Sequence, residues 1–267
     1  MRQLTDISDY NAIVERYHQK GCFSNDYIQQ QAASLIEENV LFADIYDRNA
    51  FLFVKRNVGM RVYYYINSFD EKADFSGYKD IVTEILFRGE LPQTEMDYLT
   101  ECGFSINLVR DLYGGMYQDL ASNIQIVSGV KVETATTLED VEKACLLFNE
   151  SFDRLSGDFI SENEYQNLLD SQGILVAKSL ENEFLGAIHF GKQGAVIVLK
   201  HLAVMENARG RGVGKALMDV VIQWNKETGK TRYQLWVQRR NEAAVNLYKK
   251  LGFKYLNKST ISLIKLK

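Results

Sequence analysis

The chain has 267 residues, more than the roughly 100 to 200 of one typical domain, with 46% hydrophobic and 25% charged side chains and a formal net charge of −4. No apolar run approaches the roughly 20 residues of a membrane span, the start MRQLTDISDYN lacks the apolar core of a signal peptide, and nothing is basic enough to suggest nucleic acid. A cytoplasmic chain of two domains is predicted, with neither a membrane nor a nucleic acid among its partners.

The charge is uneven. Residues 1–130 carry 11 Lys and Arg against 19 Asp and Glu, whereas residues 131–267 carry 20 against 16. A mildly basic second half suits a polyanionic ligand, and the acidic first half reads as solvated surface. Cys22, Cys102 and Cys145 are far apart and show no CxxC spacing, so neither a zinc site nor a disulfide framework is expected.

In chain order, Ile7, Tyr10, Ile13, Val14 and Tyr17 recur at helical spacing within 4–20, and a second helix is predicted over 26–39. Segments 40–46, 51–56 and 61–67 are aromatic and β-branched with polar turns between them, which predicts antiparallel strands, and 81–87 continues the sheet. Phe51, Phe53, Tyr63, Tyr64 and Tyr65 read as sheet packing. Pro92 opens a helix that stops at Cys102-Gly103.

From Val130 a fresh unit begins, with a strand to Glu133, Thr136 or Thr137 as a cap, and a helix over 138–148. A looser stretch covers 158–169. Strands over 173–179 and 184–190 follow, then a turn at 191–194 and a long strand over 195–205. Glu206-Asn207-Ala208 turns into a helix over 213–226 carrying Val213, Leu217, Val220 and Trp224 at helical spacing. A strand over 231–238 and a helix from Asn241 to Leu251 complete the reading.

The chain repeats. LFRGELPQTEMDYLTECGF (86–104) lies over LWVQRRNEAAVNLYKKLGF (235–253) at an offset of 149 residues, both reading as strand, turn, helix and terminal Gly-Phe. From Arg61 to Gly103 is 42 residues and from Ile197 to Gly252 is 55, so the first copy lacks about one helix's worth of chain. What it lacks is a glycine loop; Pro92 stands where the second copy has Asn241, and Leu99 where it has Tyr248. A degenerate unit over 1–129 and a complete one over 130–267 are expected, packed together without a Pro- or Gly-rich linker.

The glycine loop is the most informative stretch. In LAVMENARGRGVGKAL (202–217) a strand gives way to three glycines at alternate positions and then a helix. Glycines let an anion approach the main chain, and the unpaired N–H groups and dipole of a helix's first turn favour negative charge. A Walker loop would need Gly at 209 and Ser or Thr after Lys215, where Arg209 and Ala216 stand; a dinucleotide turn would need Gly at 215. Both readings fail.

What fits is Arg209-x-x-Gly212-x-Gly214 after the strand L-A-V, followed by Asn241, Ala244, Leu247, Tyr248, Gly252 and Phe253 in N-x-x-A-x-x-L-Y-x-x-x-G-F. In this order and separation the two signatures closely resemble those of the GNAT family of N-acetyltransferases, over about 131–267. The resemblance implies an α/β protein of two GNAT-like units, each a mostly antiparallel sheet with a splayed parallel strand pair and flanking helices. It implies acetyl-CoA as acyl donor, with its pantetheine arm between strands 195–205 and 231–238, pairing with main chain at Leu202, Ala203 and Val204. The pyrophosphate is then expected on Arg209, Gly210, Arg211, Gly212, Val213, Gly214 and Lys215.

The resemblance further gives Tyr248 as the hydroxyl that protonates the departing sulfur, and Asn241 as a cofactor contact that is equally a good helix cap. An alkylammonium must lose a proton before it attacks, and His201 or Glu206 would be the base. His18 and His189 have no motif context. The implied activity is direct transfer of an acetyl group to a primary amine. Two other readings stay open: an acyl-CoA-binding sensor without turnover, and a transferase for a longer acyl group. The acceptor is unspecified, no metal is implied, and a monomer or homodimer is expected.

Overall fold

A computed structural model of the chain describes residues 1–120, 127–156, 159–224 and 232–266. Asp158, and the helix and strand ends expected at 225–226 and 231, lie outside the described residues. The chain forms two compact units, one of Met1–Val109 with Ser259–Lys267 and one of Arg110–Lys258. Among the described residues no helix is long and apolar enough to cross a membrane.

In the first unit, β1 (Arg2–Gln3), α1 (Ile7–Tyr17), β2 (Phe23–Ser24) and α2 (Ala32–Glu37) precede a meander of β3 (Leu41–Ile45), β4 (Ala50–Lys55) and β5 (Met60–Ile66). β6 (Ile81–Phe87), α3 (Gln93–Glu101) and β7 (Ser105–Met116) follow, β7 running on from Arg110 as part of the second unit. Strand alternation builds the two faces of the sheet. Phe51 and Phe53 join Tyr98 and Leu99 of α3 in one cluster, while Ala50, Leu52 and Val54 join Tyr10, Ile13 and Leu35 in another. The aromatic run is therefore core, as expected.

The helix expected over 26–39 is shorter, because its first residues spend their polar groups on tertiary bonds. Asp26 Oδ1 accepts from the Ile28 N–H at 3.0 Å, and Asp26 Oδ2 accepts from the hydroxyls of Tyr10 and Tyr65. Such a local side-chain bond competes with helix formation. Asn25 just before it is drawn between β5 and β6.

In the second unit, α4 (Tyr117–Leu120) and β8 (Lys131–Thr134) lead to α5 (Leu138–Ser151) and α6 (Tyr165–Asp170). β9 (Ile174–Lys178), β10 (Phe184–Gln193) and β11 (Val196–Val204) form an antiparallel run with β8. Then come α7 (Val213–Trp224), β12 (Arg232–Gln238), α8 (Glu242–Lys250) and β13 (Lys254–Lys265). The turn expected at 191–194 is tighter. β10 keeps pairing to Gln193, opposite Val196, and only Gly194, at φ 59°, takes the left-handed conformation that closes the hairpin.

Thr137 caps α5, its hydroxyl accepting from the Asp140 N–H at 3.2 Å. Alternate residues of β9 serve opposite faces of this sheet. Ile174 and Val176 pack with Val141, Ala144 and Phe148 of α5, whereas Leu175 and Ala177 pack with Val213, Leu217 and Val221 of α7. The stretch expected to be loose contains α6 and, before it, a one-turn helix with a capping box between Ser161 and Glu164.

The 149-residue offset carries β7 onto β13 and α3 onto α8 almost end to end. Each unit nevertheless takes its closing strand from the other copy. Residues 110–116 of β7 pair antiparallel with β12, from Arg110 opposite Gln238 to Met116 opposite Arg232. Residues 259–265 of β13 pair antiparallel with β6, from Ser259 opposite Phe87 to Lys265 opposite Ile81. The expected division at 129/130 thus falls inside the second unit, because the strand that completes that sheet precedes it.

Candidate acyl-donor site

Among the described residues β11 and β12 run parallel and pair through four registers, from Val196 opposite Arg232 to Leu199 opposite Leu235. Among the described residues, β11 beyond Leu199 pairs with β10 alone. A β-bulge falls at this point, where His189 stands opposite His201 and Phe190 opposite Leu199, leaving Lys200 as the extra residue. The strand past the bulge therefore carries main-chain groups along the edge where β12 has parted from it. That edge is the stretch Leu202, Ala203 and Val204.

At the end of β11 a one-turn helix, Glu206–Ala208, anchored by buried Ala208, leads into the loop. Arg209, Gly210 and Arg211 are exposed, Gly212, Gly214 and Lys215 half-buried, and Val213 buried. Gly210 and Gly212 have φ of 76° and 80°, a region in which side chains are strained. A Cβ on Gly212 would also come within 3.0 Å of Val127 Cγ1. On Gly214 it would lie 3.5 Å from Leu247 Cδ2 and 3.7 Å from Val204 Cγ2, so this residue sits where β11, α7 and α8 meet.

The first helical bond of α7 is given by the Ala216 N–H to the Gly212 carbonyl at 3.0 Å. The Arg209 N–H turns back to the Glu206 carbonyl at 3.3 Å, whereas the amides from Gly210 onward lie in the turn where a helix leaves its donors unpaired, with the positive end of the dipole behind them. A loop whose first three residues are exposed and whose amides precede the helical ladder fits a diphosphate. Lys215 is paired within its own helix. Its Nζ sits 2.6 Å from Asp219 Oδ2, so its charge is spent on a carboxylate of its own helix.

Asn241 caps α8, its Oδ1 accepting from the Ala244 N–H at 3.1 Å, which is the capping role of its two expected ones. Tyr248 follows two turns later and is buried, its ring 5.9 Å from that of Phe253. Burial raises the phenol well above its ordinary pKa, so the hydroxyl keeps its proton throughout the neutral range. Glu206 is exposed at the turn.

His201 is buried on the α5 face with Ala203, opposite the face where Leu202 and Val204 meet the α7 cluster. Its ring stacks on Phe148 at 5.3 Å and meets Phe152 edge-on at 5.1 Å. On its other side His189 stacks at 5.5 Å, with the two Nδ1 atoms 3.3 Å apart. Burial, then the Lys200 and His201 charges, pull His189 down to about 3, so it is neutral at physiological pH. His189, which has no motif context, is the ring packed beside His201. The signal lay in the hairpin, since both histidines are six residues from Ala195.

Residues 139–253 match the family model described as acetyltransferase (GNAT) family. Over 95 residues the chain is 38% identical to a mycothiol acetyltransferase from Paenarthrobacter aurescens, covering 33% of this chain and 29% of that relative. The chain thus spans under a third of that relative's length. In fold it resembles a GCN5-related N-acetyltransferase from Sphaerobacter thermophilus, at TM-score 0.60 and 12% identity, over 87% of this chain and 85% of that one. It also resembles a tandem GNAT protein from the clavulanic acid biosynthesis pathway, at TM-score 0.56 and 10% identity, over 84% and 83% of the two chains.

Proposed function

From a chain whose residues 139–253 form a GNAT acetyltransferase domain, we propose an enzyme that binds acetyl-CoA in its second unit and transfers the acetyl group directly to a primary amine. The observation that carries this is the early parting of β11 and β12 beside the exposed loop 209–211. The parted edge offers main-chain hydrogen bonds to an amide-bearing arm at Leu202 and Val204, whose N–H and C=O alternate with those of Ala203, turned to β10. The amides of residues 210–215 take the diphosphate, with Arg209, whose own N–H is given to the Glu206 carbonyl, and Arg211 adding charge from the rim.

In the reaction the amine nitrogen attacks the thioester carbonyl carbon, a C–N bond forms and the C–S bond breaks. A main-chain N–H of the β11 edge stabilises the oxyanion. The proton the amine gives up is collected by His201 or Glu206. Tyr248 is a hydrogen-bond donor to the developing thiolate. Because its own pKa is raised, it passes a proton to sulfur only as it regains one, so the net result is movement of the amine's proton to the thiol. No covalent enzyme intermediate is needed.

Release of CoA, followed with a thiol reagent over a panel of primary amines, tests the reading. Turnover with at least one amine is expected, together with calorimetric binding of acetyl-CoA. Binding without turnover on any amine would reduce the protein to a sensor, and absence of binding would remove the proposal altogether.

A further inference from the structure

The first unit repeats the strand geometry of the second, including the parting. β5 and β6 run parallel and pair only at Met60 opposite Ile81 and Arg61 opposite Val82. Three residues past its last parallel pair β5 reaches Tyr64, as β11 reaches Leu202 three residues past Leu199. The corresponding edge in the first unit is already taken. β2 pairs antiparallel with β5, Phe23 opposite Ile66 and Ser24 opposite Tyr65, on ground that β6 has left.

Next to β2, Asn25 reaches across the parting and is only 2% exposed. Its Oδ1 accepts from the Tyr64 N–H at 2.8 Å on β5. Its Nδ2 donates to the Glu84 carbonyl and to Thr83 Oγ1 on β6, both at 2.9 Å. Thr83 Oγ1 in turn donates to the Val62 carbonyl at 2.9 Å, so Asn25 and Thr83 together engage main-chain groups on both walls. A carboxamide has the acceptor and donor of the secondary amides in a pantetheine arm. It offers them to the two strands that such an arm would have to join.

We propose that the first unit holds a vestigial acyl-donor slot filled by the chain itself, with Asn25 and the strand Phe23–Ser24 in the place of the arm. The full chain then binds one CoA and not two. The count of one rests on the function proposed above for the second unit; the filled slot does not.

Hydrogen exchange on the full chain, followed by NMR, reads the slot independently of any ligand. The Tyr64 amide is expected among the slowly exchanging set, unchanged by CoA. In N25A its exchange should accelerate at least tenfold while the Phe51 and Phe53 amides stay slow. N25D, which keeps the acceptor but loses both donors, should give a smaller acceleration if N25A fails to fold. Rapid Tyr64 exchange in the wild type, added protection of Tyr64 by CoA, or unchanged exchange in both variants would overturn the proposal. Native mass spectrometry with CoA then counts sites. One supports the proposal and two overturns it. None, beside a protected Tyr64 amide, leaves the filled slot standing and sinks the function assigned to the second unit.

Discussion

Lys215 Nζ lies 2.6 Å from Asp219 Oδ2, one turn further along α7, and Asp219 is 4% exposed. The motif lysine is thereby a structural cation first. Lys215→Met leaves a buried carboxylate without this partner, and a loss of roughly 1.5 to 3 kcal/mol in urea unfolding is expected, the range for hydrogen bonds to charged groups. Its effect on CoA affinity should stay below threefold, because the main-chain amide at 215 is retained. A tenfold loss of affinity at unchanged stability would reassign the side chain to the diphosphate.

Tyr248 and the acyl-transfer step can be separated from binding. Tyr248→Phe keeps the buried ring and removes only the hydroxyl, so kcat should fall by about 10²-fold, the lower end for a positioned proton donor. Calorimetric affinity for CoA should be unchanged. Equal turnover by the variant would strip Tyr248 of its chemical role and leave it as core.

His189 makes stability depend on pH. Its folded-state pKa is pulled down to about 3, below the 6.5 of an unperturbed histidine, by burial first and by Lys200 and His201 next. The unfolded chain therefore binds a proton near neutrality that the folded chain refuses. This contribution is intact above about pH 6.5 and is lost as the pH falls from there toward 3, at up to about 1.4 kcal/mol per pH unit. Urea midpoints of the wild type and His189→Asn should diverge at pH 7.5 and converge by pH 4.5. Parallel pH profiles for the two proteins would show that His189 is not held neutral by the fold.

Much of this was legible locally. The loop, the helix it opens, the Thr137 cap and the meander of aromatic strands follow from spacing and from residues with one good use. β7 and β13 were not read as strands, since SINLVRDLYGGM and KYLNKSTISLIK mix charges and glycines with their apolar residues. Neither was the Asn25 bridge, whose partners are 37 to 59 residues away. Lys215 and Asp219 at i and i+4 were visible as a pair, but which claim on the lysine wins depends on the burial of Asp219. Long-range pairing is decided by shape, and a periodicity carries no record of it.

The exchange of closing strands makes a fragment test decisive. Residues 130–267 carry the whole glycine loop and both signatures yet lack the strand at 110–116 and leave 259–265 without β6. An exposed edge and an orphaned apolar strand predict aggregation. Residues 105–258 should fold better, judged by a cooperative thermal transition. A fragment 130–267 that melts like the full chain would mean the exchange adds nothing to stability.

The same crossing bears on how such a chain can change over generations. The first half lacks a phosphate loop, yet removing it would leave the second with a gap in its sheet and an unpaired tail. Any descendant that sheds the first copy must first supply a new final strand from elsewhere.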